Sequence, residues 1–169
     1  MRLLIVNTLP RENPAALAAV QELGEAVSDC RVIHACEMDL RPCVGCNACW
    51  LKTPGVCAIR DGCEEILKAC LAYDATVFLA GTALHFVDHR MKNVIDRFLP
   101  LVTMYTYFSD GQCRHVPRYE KRFRFGLLYA GMAEQAYLNE WLGRVALNFG
   151  GSSLGAFPIT QAKEVLPCT

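Results

Sequence analysis

The sequence predicts an α/β domain of three layers, helices on both faces of a doubly wound sheet of five parallel strands in the order 2-1-3-4-5. Three observations predict it. Short continuous apolar runs, the pattern of strands buried on both faces, alternate along the chain with longer segments of helical periodicity. That alternation implies parallel strands joined by right-handed crossovers. The composition, 53% hydrophobic and 20% charged over 169 residues, suits one folded domain spanning residues 1–169.

Each element has its own signal. Arg2–Asn7 is the first apolar run, and Thr8–Asn13 the loop after it. Asn13 caps a helix with Pro14 in its first turn, running to about Leu23, and Gly24 marks its end. The second strand lies at Arg31–Ala35, with His34 a packed strand residue. Asp61-Gly62-Cys63-Glu64 reads as an Asp cap with Glu three residues on. It opens a helix that turns Ile66, Leu67, Cys70 and Leu71 inward, which makes Cys63 and Cys70 packing residues. Ala75–Ala80 is the most apolar strand and central. A loop, Gly81–Val87, follows it. Asp88 caps the next helix, whose Met91, Val94, Ile95, Phe98 and Leu99 form a core-facing stripe that Pro100 ends. Leu101–Arg122 is a long aromatic connection with a basic end, of a length that implies a packed functional loop or an interface. Phe123–Tyr129 is the fourth strand. Glu134–Phe149 is a helix with Leu138, Trp141, Leu142, Val145 and Phe149 inward, stopped by Gly150-Gly151. Ser153–Ile159 is the fifth strand.

Lys+Arg and Asp+Glu both number 17, so no net field favours nucleic acid or a membrane surface. The apolar run Leu3–Val6 is too short for a membrane span or a secretion leader. Ten cysteines in that context imply a reducing cytoplasm, with thiols or a cofactor and no disulfide framework.

Four of those cysteines organise the chain. Cys43, Cys46, Cys49 and Cys57 read C-x2-C-x2-C-x7-C. Gly45 permits a tight turn between the first two, and Pro54-Gly55 turns Cys57 back toward the others. Thiolates at this spacing hold an iron–sulfur cluster or zinc. The chain has no second C-x2-C pair, which makes zinc the weaker metal. A metal-free thiol loop is the remaining alternative. In the doubly wound fold a ligand lies beyond the carboxyl ends of strands one and three. That directs attention to Thr8–Asn13 and Gly81–Val87, with the cysteine loop following strand two.

Three blocks carry a family resemblance: Cys43–Trp50; Thr53–Cys57 with Asp61 behind it; and Lys92-Asn93-Val94-Ile95-Asp96-Arg97-Phe98. In these the chain resembles the flavodoxin-like NADPH-dependent FMN reductases, and among them the iron–sulfur flavoproteins. The resemblance implies a flavodoxin-like fold, FMN at the switch point and reduction by NAD(P)H or a redox protein. It also implies a homo-oligomer, or pairing with a flavin-bearing homologue. It assigns a [4Fe–4S] cluster to Cys43, Cys46, Cys49 and Cys57. It places FMN against Thr8, Arg11 and Asn13 at the phosphate and against Thr82, Ala83, Leu84, His85 and Phe86 at the ring. The flavin loops depart from the family pattern. Leu9 stands where a hydroxyl donor is usual, Ala15-Ala16 replace a polar pair, and Ala83 falls where an aromatic is expected. His85, Phe86 or Trp50 would then stack on the flavin, and His85 or His89 would donate to it. Two further readings stay open: an FMN-free iron–sulfur carrier, and a metal-free thiol protein.

Overall fold

The computed structural model describes residues 1–166, so the last three residues of the expected domain lie outside the described ones. A parallel sheet forms the centre. Its strands are β1 (Arg2–Asn7), β2 (Asp29–His34), β3 (Ala75–Ala83), then, past a short β4 (Phe86–Val87) and the hairpin β5 (Val102–Ser109) and β6 (Gln112–Pro117), β7 (Arg124–Ala130) and β8 (Ser152–Pro158). The order across the sheet is β2-β1-β3-β7-β8, with every one of these pairings parallel. This is the expected 2-1-3-4-5 arrangement. The strands adopt it because Leu3–Val6, Val77–Ala80 and Leu127–Leu128 are fully buried, apolar on both faces.

Helices α1 (Pro14–Glu25), α2 (Ala48–Leu51), α3 (Cys63–Ala72), α4 (His89–Asp96) and α5 (Gln135–Asn148) complete the fold. One layer holds α1 and the turn at Ile159–Val165, through Ala16, Ala19, Leu23, Ala162 and Val165. The other holds α3, α4 and α5, through Ile66, Met91, Val94, Leu138 and Leu142. Phe78, Phe98, Phe125 and Phe149 meet there, edge-on or tilted, at ring separations of 5.7–6.2 Å. Among the described residues, no helix is long and apolar enough to cross a membrane.

Four sequence expectations change. Gly24 does not end α1, which runs on to Glu25 and closes when the Ala26 N–H donates to the Leu23 carbonyl. Asp61 does not cap α3. Gly62, at φ +87°, holds that position, and Asp61, one residue earlier, accepts the Cys63 N–H at 3.3 Å while it pairs with Arg97. The connection from Leu101 to Arg122 is mostly the β5–β6 hairpin, reversed at Asp110-Gly111 with both residues at positive φ. Asp-Gly between two extended runs was the readable signal. The segment Gly81–Val87 is likewise no open loop. Strand β3 continues to Ala83 and pairs antiparallel with β4, Thr82 opposite Val87 and Ala83 opposite Phe86.

Candidate functional site

The cysteine loop is built by local turns. Gly45 and Asn47 take left-handed backbone at φ +64° and +55°, and Asn47 leads into the single turn α2. The Thr53 hydroxyl donates to the Val56 carbonyl, and the Gly55 N–H donates to the Cys49 carbonyl at 2.9 Å. Thr53-Pro54-Gly55-Val56 therefore folds back on α2, as the turn signal predicted, and returns Cys57 toward Cys49. Cys49 is buried, Cys43 and Cys57 half-buried and Cys46 exposed. Burial pushes the Cys49 thiol above its ordinary value, and the charges of Cys57, Cys43 and Cys46 push it further. The four sulfurs thus share one electrostatic neighbourhood.

The loop is fastened at three places. The Trp50 indole donates to the Leu99 carbonyl at 2.9 Å, and its ring lies 5.1 Å from that of His115 on β6. Trp50 is consequently a packing residue and is not presented to a ring ligand. Thr53 ties the middle. Arg97 ties the ends: it donates to the carbonyls of Arg41 at 2.6 Å and Ile59 at 3.3 Å, and to both oxygens of Asp61 at 2.7 and 3.0 Å. Asp61 also accepts the N–H of Arg41 and of Cys63. The Arg97 side chain is 1% exposed and that of Asp61 is 6% exposed. Burial alone would raise the Asp61 carboxyl. The hydrogen bonds from Arg97, Arg41 and Cys63 outweigh it and hold the group below the usual carboxylate range. Asp61 and Arg97 were both inside resemblance blocks, but nothing in the sequence paired them.

Cys63 and Cys70 are buried as expected, and burial pushes each thiol up to about 12. Cys113, at the hairpin tip, is exposed and was not singled out from sequence. It lines a groove of about 850 Å³ together with Cys43, Lys92, Arg114, Trp141 and Arg144.

The strand-end loops tell a different story. Thr8 is buried, and both its N–H and its hydroxyl donate to the Leu79 carbonyl at 2.9 Å. The Asn13 side chain accepts the Ala16 N–H, its carbonyl accepts the Leu17 N–H, and Pro14 has no N–H to offer. Arg11 pairs with the Glu37 carboxylate at 3.2 Å. An FMN phosphate needs free donors at this helix end. Here the Thr8 hydroxyl, the Ala16 N–H and the Arg11 guanidinium already have partners within the protein, so a phosphate would rely on the remaining N–H groups at this end and on release of the exposed Arg11–Glu37 pair. Beyond β3, Leu84 and His85 form a two-residue turn at φ +50° and +62°, with Leu84 98% exposed. The Thr82 hydroxyl donates to the Ala130 carbonyl at 3.4 Å, and Ala83 and His85 are exposed. Phe86 packs on Tyr137 and Trp141 at 5.7 and 5.1 Å. His89 and Arg90 sit apart from the turn, on a cavity of about 180 Å³ that also touches Thr8, Cys36, Asp39 and Asn93.

A cluster is tested by its donor set. Four thiols on one closed loop, with no carboxylate or histidine among them, are the soft donors that iron–sulfur clusters take. Among the described residues, no group of three or more His, Cys, Asp or Glu side chains is gathered closely enough to hold a metal ion. The donor chemistry fits, and coordination would require the loop to draw its sulfurs closer.

Sheet order, helix layers and a cysteine-bearing loop behind the second strand define a flavodoxin-like α/β protein. No protein-family model matches the chain. It is similar to an iron–sulfur flavoprotein of Methanocaldococcus jannaschii, 30% identical over 107 residues that cover 60% of this chain and 53% of the relative. It is also similar to an iron–sulfur flavoprotein of Archaeoglobus fulgidus, 32% identical over 100 residues, covering 57% of this chain and 48% of that one. The chain thus spans about half the length of the curated relatives it matches. Among solved structures, a flavone reductase superposes with a TM-score of 0.63 at 13% identity, covering 98% of this chain and 60% of that one. The azoreductase AzrA superposes at 0.58 and 14% identity, covering 98% and 93%. The structural likenesses bear out the flavodoxin-like fold, and the sequence similarity bears out the resemblance to iron–sulfur flavoproteins.

Proposed function

We propose that this chain is an NAD(P)H-dependent FMN oxidoreductase of the electron-transfer type, with a [4Fe–4S] cluster on Cys43, Cys46, Cys49 and Cys57. The observation that carries the reading is the C-x2-C-x2-C-x7-C spacing of these four thiols on one loop fastened at the end of α4 and against β6. The similarity to two iron–sulfur flavoproteins supports it. When bound, FMN takes up a hydride and gives up single electrons, and a cluster relays electrons one at a time. The protein's own part is positional. Asn47 and Gly45 set the turns, Trp50 and Thr53 hold the middle of the loop, and burial of Cys49 excludes water from one side of it. The exposed Tyr105, Tyr107 and Phe108 of the β5–β6 hairpin support assembly of several copies. The abundance of thiols supports a cytoplasmic setting.

A second reading is an FMN-free iron–sulfur carrier that serves a flavin-bearing partner. One observation favours it: the Ala16 N–H is taken by Asn13 and the Thr8 hydroxyl by Leu79, which removes two of the contacts a phosphate would use. An anaerobic visible spectrum of the purified protein, with iron and flavin assayed on the same sample, separates the two. Flavin bands that bleach with NAD(P)H support the oxidoreductase. An iron–sulfur shoulder without flavin, persisting after incubation with FMN, supports the carrier. Cys46→Ala is expected to abolish the shoulder in both cases, and unaltered iron content in that variant would remove the cysteine assignment.

A further inference from the structure

We infer that Arg97 is the positioning residue of the cysteine site: it clasps the two ends of the loop together and balances the buried Asp61 charge beside the proposed cluster site. The second half of this inference rests on the proposed cluster; the first half does not.

The geometry is one side chain doing two things. Arg41 lies two residues before Cys43, and Ile59 two residues after Cys57. Arg97, buried at the end of α4, donates to the carbonyls of both and to the carboxylate of Asp61. The Arg41 N–H returns to Asp61, so the two ends of the loop close on a single guanidinium–carboxylate pair. A planar fork of donors can reach three acceptors at once; an ammonium cannot do so with the same geometry. All four motif cysteines lie between residues 41 and 59, the two points that this clasp joins.

The charge is the second part. Arg97 donates to the carbonyl of Ile59, two residues beyond Cys57. Its Nε is buried with no hydrogen-bond partner among the described residues. Two other nitrogens share that condition, Arg114 Nε and His115 Nδ1. Arg114 borders the groove that reaches Cys43, and His115 stacks on Trp50. All three therefore border the cysteine loop. Unpaired buried nitrogens are costly, and an anionic group beside them would relieve that cost. A cluster held by four thiolates is such a group. Arg97 is paired with Asp61, so removing the guanidinium would leave a buried carboxylate unopposed beside the cluster, which disfavours the more negative, reduced form and lowers its potential.

The test uses the full chain and the variants Arg97→Lys and Arg97→Gln. The first readout, taken without metal, is amide hydrogen exchange. Residues 42–58 are expected to exchange at least about tenfold faster in both variants, with β1, β3 and β7 unchanged. The second is the midpoint potential after anaerobic reconstitution with ferrous iron and sulfide. Arg97→Gln is expected to lower it, while Arg97→Lys, which keeps the charge, stays near wild type. If Arg97→Gln does not fold, Asp61→Asn/Arg97→Gln removes the unpaired carboxylate and supplies the exchange readout. Loop amides that exchange as in wild type, or acceleration spread equally through the sheet, would overturn the clasp. Equal potentials in wild type and Arg97→Gln would overturn the charge. A wild-type chain that takes up no iron would defeat the proposed cluster and the charge with it, and the exchange readout would still decide the clasp.

Discussion

Replacing Asp61 by alanine tests the energetics of the site most directly. The carboxylate is 6% exposed and bonds both nitrogen ends of a guanidinium that is 1% exposed. Removing it leaves Arg97 charged, buried and without its anion. The cost of breaking one side of a buried pair is about 3–5 kcal/mol, and most of it is the stranded charge. The N–H groups of Arg41 and Cys63 lose an acceptor as well. These losses share one network and do not simply add, so about 3–5 kcal/mol stands for the whole. A domain of this kind has about 5–15 kcal/mol in all. With a urea dependence of about 2 kcal/mol per molar, the unfolding midpoint at pH 7 is expected to fall by about 1.5–2.5 M. The same pair sets an acid dependence. The folded Asp61 pKa is depressed, so its contribution is fully present above the unfolded value near 3.9 and is lost as pH falls through the folded value. The gap between wild type and Asp61→Ala should therefore be constant from pH 7 to about 5 and close below about 4. Equilibrium unfolding followed by tryptophan fluorescence reads both. A midpoint change under about 0.3 M, or a gap that widens in acid, would refute the reasoning.

Three further predictions concern the thiols and the strained turn. With Cys63 and Cys70 pushed up to about 12 by burial, neither should be alkylated by iodoacetamide in the folded protein at pH 8, whereas the exposed Cys46 and Cys113 should be; peptide mass spectrometry reads the pattern. The same two groups favour the folded state only while protonated. Their contribution is complete below the unfolded value near 9 and declines as pH rises toward 12, so the urea midpoint should fall over that interval. At the β3–β4 turn, Leu84 and His85 adopt left-handed backbone although neither is glycine, and Leu84 loses no packing on replacement because it is 98% exposed. Changing Leu84→Asn together with His85→Gly should stabilise the chain by about 1–2 kcal/mol, seen as a raised Tm; no change would mean that the turn is not under strain.

Much of the fold was legible because it is set by local pattern. Apolar runs such as Leu3–Val6 and Val77–Ala80 define strands wherever they pack, and Asn13-Pro14 starts a helix by its own hydrogen bond and fixed φ. The candidate site was legible only where chemistry is written in spacing. The four cysteines and the Pro54-Gly55 turn need no distant partner to approach one another. Other expectations depended on contacts that spacing does not encode. Thr8 and Asn13 were expected to face a phosphate, but whether a hydroxyl points outward depends on which carbonyl the neighbouring strand brings up, here that of Leu79. Trp50 and Phe86 were expected to stack on a flavin, and their partners, His115 and Trp141, come from elements far along the chain.

The sequence by itself thus determined the sheet, its order and the cysteine loop, since periodicity, caps and turn residues act over a few positions. The tertiary structure decided what each polar group does. Asp61 read as a helix cap and became half of a buried ion pair 36 residues from its partner. The strand-end donors read as a phosphate site and became internal hydrogen bonds. The reason is the same in both cases: a buried polar group must find a partner, and only the folded chain determines which one is within reach.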